Sequence, residues 1–68
     1  MTIGEYMQQK LDEHNLNEFV KEKNVEYSWV TFRRIDKSDI AAAFAKFCAE
    51  QDLVSVRGNK DGSITCWF

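Results

Sequence analysis

The chain has 68 residues, a formal net charge of −2 and 29% charged side chains, as expected for one small globular domain with a limited core. Nine basic against eleven acidic residues leave no basic surplus, the usual mark of a dedicated nucleic-acid binder. The longest uncharged apolar stretch, Ile40–Ala45, is far shorter than the ~20 residues of a membrane helix, and the N-terminus lacks the pattern of a signal peptide.

The first predicted elements are two helices. Thr2 and Glu5 have the spacing of a capping box, and apolar residues follow at helical spacing, which predicts a helix over residues 2–13. A second cap-like pattern begins at Asn15. It predicts a short helix over 16–23, whose apolar stripe is Leu16, Phe19 and Val20.

A strand and the clearest helix come next. Residues 25–33 are rich in β-branched and aromatic side chains, which predicts a strand that is apolar on both faces. Asp36 is a good N-cap for a helix over 36–52, with Ile35 and Ile40 spaced as a hydrophobic staple. The inward stripe of that helix is Ile40, Phe44, Phe47, Cys48 and Gln51, and its outer side is Ser38, Ala42, Ala45, Lys46, Ala49 and Glu50.

The last 16 residues predict a β-hairpin. A three-residue loop, Lys60–Gly62, with Gly62 in a left-handed bulge, pairs Val56 with Cys66. A loop one residue longer or shorter would turn one strand's apolar set outward. The apolar face of the hairpin is predicted to consist of Val54, Val56, Ile64, Cys66 and Phe68.

Together these elements predict an α+β fold in one small domain, residues 1–68. The predicted order is α-α-β-α-β-β, with a three-stranded antiparallel sheet backed by helices. The hairpin is expected to pair with the strand over 25–33.

Motifs for catalysis are missing from the sequence. It has no G-x-S-x-G, Walker A or G-x-G-x-x-G motif, and its single histidine, His14, is expected to be a polar residue at a helix end. His14, Cys48 and Cys66 lack metal-ligand spacing. We therefore expect a non-enzyme without metal or cofactor, located in the cytoplasm, whose two thiols are buried and reduced.

One face of the predicted sheet is enriched in the residue types that dominate protein interfaces. The candidate partner-binding residues on this face are Tyr27, Trp29, Arg33, Arg57 and Trp67. Two arrangements fit the sequence. The face is exposed and binds a partner, or the N-terminal helices cover it and make Tyr27 and Trp29 ordinary core residues.

The C-terminal part also resembles a winged-helix DNA-binding domain. Helix 36–52 would take the place of the recognition helix, LVSVRGNKDGSITCWF looks like the wing, and 25–32 would be the strand that pairs with it. The resemblance implies DNA contacts through the helix and the wing tip. The residues that would make them are Lys37, Lys46, Arg57, Asn59 and Lys60.

We expect a non-enzymatic protein-binding module whose partner is another protein or a second copy of itself, with no membrane. By analogy with small, proline-free chains of mixed charge, we expect a regulator or inhibitor of the kind found in phages and mobile elements. A winged-helix-like DNA-binding transcriptional regulator is the alternative.

Overall fold

A computed structural model describes residues 1–35, 38–51 and 53–68. Two helices and a four-stranded antiparallel sheet make an α+β fold. In chain order the elements are α1 (Ile3–Glu13), a 3₁₀ turn (Asn17–Phe19), β1 (Val20–Asn24), β2 (Trp29–Phe32), α2 (Ser38–Glu50), β3 (Ser55–Gly58) and β4 (Ile64–Trp67). The strands lie in the order β1-β2-β4-β3, so β1 and β3 are the edges.

Helix α1 begins and ends close to its predicted limits. At its start the backbone N–H of Glu5 donates to the Thr2 hydroxyl oxygen at 3.1 Å, the contact of an N-cap. At its end Asn15 adopts a φ of 56°, and the N–H of Leu16 donates to the carbonyl of Leu11 at 3.0 Å. This is the Schellman arrangement, and it directs Leu16 back into the core.

Gly4 sets how closely α1 approaches the sheet. A Cβ atom at this position would lie 1.8 Å from the carbonyl oxygen of Val25 in the β1–β2 turn. No side chain fits in that space, so glycine is required for the helix to pack here.

The prediction of a short helix over 16–23 is wrong beyond its first turn, because the chain enters β1 at Val20. A turn closes the β1–β2 hairpin: the Asn24 side chain accepts from the N–H of Tyr27 at 3.0 Å, and Ser28 has a φ of 61°. Pairing with β2 thus overrides the weak strand propensity of a Lys- and Glu-rich segment. The sheet therefore has four strands instead of three, and the strand predicted over 25–33 is confined to Trp29–Phe32.

Helix α2 presents its predicted stripe to the core. Phe47 and Gln51 are buried and Phe44 is half-buried, whereas Ala45 and Lys46 on the predicted outer side are exposed. The predicted N-cap Asp36 and the predicted end of the helix at residue 52 lie outside the described residues.

The β3–β4 hairpin has the predicted loop and register. The N–H of Asn59 donates to the carbonyl of Ser63 at 2.8 Å, and the N–H of Gly62 donates to the carbonyl of Asn59 at 3.1 Å. Gly62 has a φ of 90°, and Val56 is the partner of Cys66. These contacts confirm the type I turn followed by a bulge.

The core lies on one face of the sheet, under both helices. Its fully buried side chains are Met7, Leu11, Leu16, Val30, Phe32, Phe47 and Cys66. The prediction that Val54 and Val56 belong to this core is wrong, because they are 77% and 51% exposed. Val56 lies in the edge strand β3, and Val54 directly precedes it. The helices pack over β2 and β4 and do not cover these two valines.

Candidate functional site

The face of the sheet opposite the helices carries both tryptophans of the chain. Trp29 of β2 and Trp67 of β4 are direct partners in the antiparallel register. Their neighbours along the strands, Val30 and Cys66, point into the core, so alternation turns the two indoles to the other side. We call this side the open face; its residues are Glu22, Asn24, Trp29, Thr31, Ser55, Arg57, Thr65 and Trp67.

Arg57 lies beside the tryptophans on the open face. It is the partner of Thr65, two residues along β4 from the pair formed by Ser55 and Trp67. Its side chain is exposed and both indoles are half-buried. Three of the five predicted partner-binding residues therefore lie together, and the N-terminal helix does not cover them because it packs on the core side.

The other two predicted partner-binding residues lie apart from this group. Tyr27 is in the β1–β2 turn, before the start of β2 at Trp29, and is 70% exposed. The strand predicted over 25–33 had included it. Arg33 follows the last residue of β2, about 13 Å along the strand direction from Trp29. Its guanidinium lies over the ring of Phe19, 5.8 Å from the ring centroid.

A polar network beneath the open face was not predicted from the sequence. Thr31 and Thr65 are only 7% and 9% exposed, and their hydroxyl oxygens are 2.8 Å apart. The Asn59 amide donates to Thr65 Oγ1 and to Ser63 Oγ, both at 3.0 Å. Alternation does put Thr31 and Thr65 on one side of their strands, but only the register between β2 and β4, which no local pattern predicts, makes them neighbours.

The network ends in an ion pair at the hairpin loop. The Ser63 hydroxyl donates to Asp61 at 2.6 Å, and Lys21 of β1 binds the same carboxylate at 2.7 Å. The hydrogen bonds from Lys21 and Ser63 hold the pKa of the Asp61 carboxyl well below its usual range. A continuous set of hydrogen bonds thus fixes the side chains between β1, the loop and the centre of the open face.

The residues that the winged-helix resemblance implies are not brought together. Lys46 is exposed on α2, on the helix side of the sheet, whereas Arg57 lies on the open face. The Asn59 amide is occupied by Ser63 and Thr65, Lys60 is exposed in the loop, and Lys37 lies outside the described residues. The β1–β2 hairpin, and no helix-turn-helix, precedes α2 in the described chain.

The remaining reactive side chains are part of the packing. Cys66 is buried, Cys48 is half-buried, and both are free thiols. Burial raises the pKa of the Cys66 thiol to about 12 and also raises that of Cys48, whereas a nucleophilic cysteine needs a lowered pKa. His14 caps α1 and binds Glu50 of α2 at 2.9 Å, with its ring edge-on to Phe47.

The described residues enclose no cavity, and among them no three His, Cys, Asp or Glu side chains cluster as metal ligands would. Within the same ranges, neither helix is long and apolar enough to cross a membrane. The chain matches no protein family, no curated protein and no solved structure. The open face is accordingly the surface whose chemistry carries a functional argument.

Proposed function

We propose that this chain is a non-enzymatic protein-binding module whose contact surface is the open face around Trp29, Trp67 and Arg57. The observation that carries the proposal is the direct pairing of the two tryptophans on the face without helices. Tryptophan and arginine are enriched among the residues that contribute most to protein interfaces. Their side chains here remain partly accessible, so a partner would bury them.

The polar network supports this role because it holds the surface in one shape. Thr31 and Thr65 are fixed by a shared hydrogen bond, and Asn59 ties Thr65 to the loop. A surface that is already ordered loses less conformational entropy on binding than a flexible one. Because the described residues form no pocket, this face suits another folded protein better than a small ligand, which needs a concave site.

By analogy, we place the module among small cytoplasmic regulators or inhibitors of the kind that phages and mobile elements carry. The free thiols of Cys48 and Cys66 fit a reducing compartment.

Capture of partners from a lysate of the native host, with variants on each side of the sheet, tests the proposal. Trp67→Ala and Arg57→Ala should each lose a partner that the wild type and Lys46→Ala retain, because Lys46 is exposed on the helix side. The purified partner should then bind Trp67→Ala about 30-fold more weakly, corresponding to the ~2 kcal/mol of a hot-spot truncation.

Intrinsic fluorescence supplies a second readout, because the chain has only two tryptophans and both are on the open face. Binding of the partner should shield them from iodide. A partner whose binding is unchanged by Trp67→Ala and leaves the quenching as it was would contradict the proposal. Binding to duplex DNA at low salt, with affinity that falls steeply as salt rises, would favour the DNA-binding alternative instead.

A further inference from the structure

The two edges of the sheet differ in how well they are protected from pairing with another strand. Strand β1 carries three consecutive charged residues, Lys21, Glu22 and Lys23, and its register shifts between Val20 and Glu22. Charges and bulges of this kind are the usual protection of an edge. The exposed edge at β1 is therefore poorly suited to accept a further strand.

Strand β3 lacks that protection. All four of its residues are exposed, its pairing with β4 shows no shift, and Arg57 is its only charged residue. Val54, which directly precedes this strand, is 77% exposed, and Val56 within it is 51% exposed. The pairing is regular from Ser55 to Gly58, whereas the N–H of Val54 donates to the carbonyl of Trp67 at 2.9 Å and is not available to another strand. A regular edge segment with an exposed valine can pair with another strand.

The hydrogen bonds of the hairpin show which backbone groups of β3 remain available. Asn59 and Ser63 form a hydrogen-bonded pair, and such pairs alternate along an antiparallel ladder. Ser55 and Arg57 therefore direct their N–H and C=O groups to β4, and Val56 and Gly58 direct theirs outward. The outward groups provide two sites for bonds to an added strand.

We propose that β3 pairs antiparallel with β3 of a second copy of this chain, with Val56 opposite Val56. In this register the two Val56 residues exchange both of their backbone hydrogen bonds, and the N–H of each Gly58 faces the carbonyl of Val54 in the other copy. The two Val56 side chains are buried against each other. The same register places each Arg57 opposite the small Ser55 of the other copy. The alternative register, centred on Arg57, would set two like charges directly opposite, which destabilises a strand pair.

The position of Arg57 on the open face favours a second copy as the occupant. Ser55 lies between Trp67 of its own chain and the incoming Arg57, so the guanidinium has to span two strand spacings, about 9.6 Å. An arginine side chain extends most of that distance across a serine, and it then approaches the electron-rich face of the indole. The same contact forms twice across the two-fold axis.

The contact is confined to one short strand of each copy, which predicts a weak and concentration-dependent dimer. Sedimentation of the wild type over a wide concentration range should show reversible dimerisation. Val56→Lys should weaken it at least tenfold. Ile3→Lys, which makes the same charge change at a 61% exposed position on α1, should leave it unchanged.

Amide hydrogen exchange locates the interface without any substitution. Protection at Val56 and Gly58 should rise with protein concentration, whereas Ser55 and Arg57 should be protected already in the monomer.

Ser55→Glu should strengthen the dimer severalfold, because each new carboxylate faces Arg57 of the other copy.

A wild type that stays monomeric at all concentrations would overturn the proposal. So would a dimer that Val56→Lys leaves intact but Trp67→Ala abolishes, since that result would place the contact on the open face. Protection of Val56 and Gly58 by another protein alone would assign the edge to a foreign strand. The pairing rests on the edge and not on the proposed function, so either can fail while the other stands.

Discussion

The helix-covered face of the sheet and the open face keep water from their side chains by different means. On the covered face, Val30, Phe32 and Cys66 are buried by apolar contacts with the helices. On the open face, Thr31 and Thr65 are almost as inaccessible, but a hydroxyl pair and the Asn59 amide satisfy them. The comparison separates two roles: the covered face stabilises the fold, and the open face holds a surface in shape.

The largest expected effect comes from comparing one aromatic truncation on each face. Phe32 is fully buried, with its ring centroid 5.0 Å from that of Phe44, so Phe32→Ala should destabilise by about 3–5 kcal/mol. That is most of the stability of a domain this small. Trp67 is half-buried, and Trp67→Ala should cost only about 1 kcal/mol.

Urea unfolding followed by circular dichroism measures both variants under the same conditions. If the two faces have separate roles, Phe32→Ala should be largely unfolded under conditions in which Trp67→Ala still unfolds in a cooperative transition. Equal losses would mean that the open face is a second core.

The next effect concerns the hydroxyl pair on the open face. Thr31→Val and Thr65→Val keep the shape and strand propensity of the side chain but leave a buried polar atom with one partner fewer. Each should cost about 1–2 kcal/mol. The double variant should cost less than the sum of the two, because it removes both ends of the 2.8 Å contact.

A double-mutant cycle by denaturant melts measures that coupling. If the two losses simply add, the hydroxyls do not depend on each other and the network does not order the face. Binding of a partner supplies a second comparison, since the double variant retains Trp29 and Trp67 but should bind more weakly.

The covered face was more predictable from the sequence than the open face. Apolar spacing in α2 identified Phe47, because a helix stripe is a local pattern. In α1 the same spacing identified Met7 and Leu11 but also included Ile3 and Tyr6, which are exposed. The hairpin register followed from Gly62 and the alternation around it. Strand β1 escaped prediction because its Lys- and Glu-rich segment has no alternation, and only its pairing with β2 makes it a strand.

The open face was predicted in part. Alternation placed Trp29 and Trp67 on one side, and the hairpin register added Arg57. Tyr27 and Arg33 lie outside β2, because the predicted strand was too long at both ends, and their part in binding stays a prediction. The network through Asn59 depends on contacts between distant segments, and local sequence carries no signal for these.

A smaller effect tests the loop that joins β3 to β4. Gly62 has a φ of 90°, and a Cβ there would lie 3.1 Å from Cδ of Arg34. Gly62→Ala should therefore destabilise by about 1 kcal/mol. Gly58 is the matched control, because a Cβ at that position meets nothing within 4 Å, so Gly58→Ala should be neutral or slightly stabilising. Thermal melts with the same loss at both glycines would contradict the bulged turn.

The smallest effect is the pH dependence of the ion pair that ends the network. Lys21 and Asp61 are 2.7 Å apart and about half exposed, so their contribution is modest and screened by salt. The pKa of the Asp61 carboxyl is lowered in the folded state, first by the hydrogen bond from Lys21 and then by those from Ser63. A lowered folded-state pKa gives stability that is present above the ordinary carboxyl range, about pH 4, and is lost as the pH falls below it.

Lys21→Gln should therefore lower the melting temperature at pH 7 and have a smaller effect at pH 2, because the stability that the lowered pKa of Asp61 provides is progressively lost below the ordinary carboxyl range. Because Ser63 still donates to Asp61 in this variant, part of the acid dependence should persist, and Asp61→Asn should remove the rest. In 1 M salt the difference between wild type and Lys21→Gln should shrink, since the pair is exposed. Melting curves of wild type and Lys21→Gln that stay parallel from pH 7 to pH 2 would show that the pair does not tie β1 to the open face.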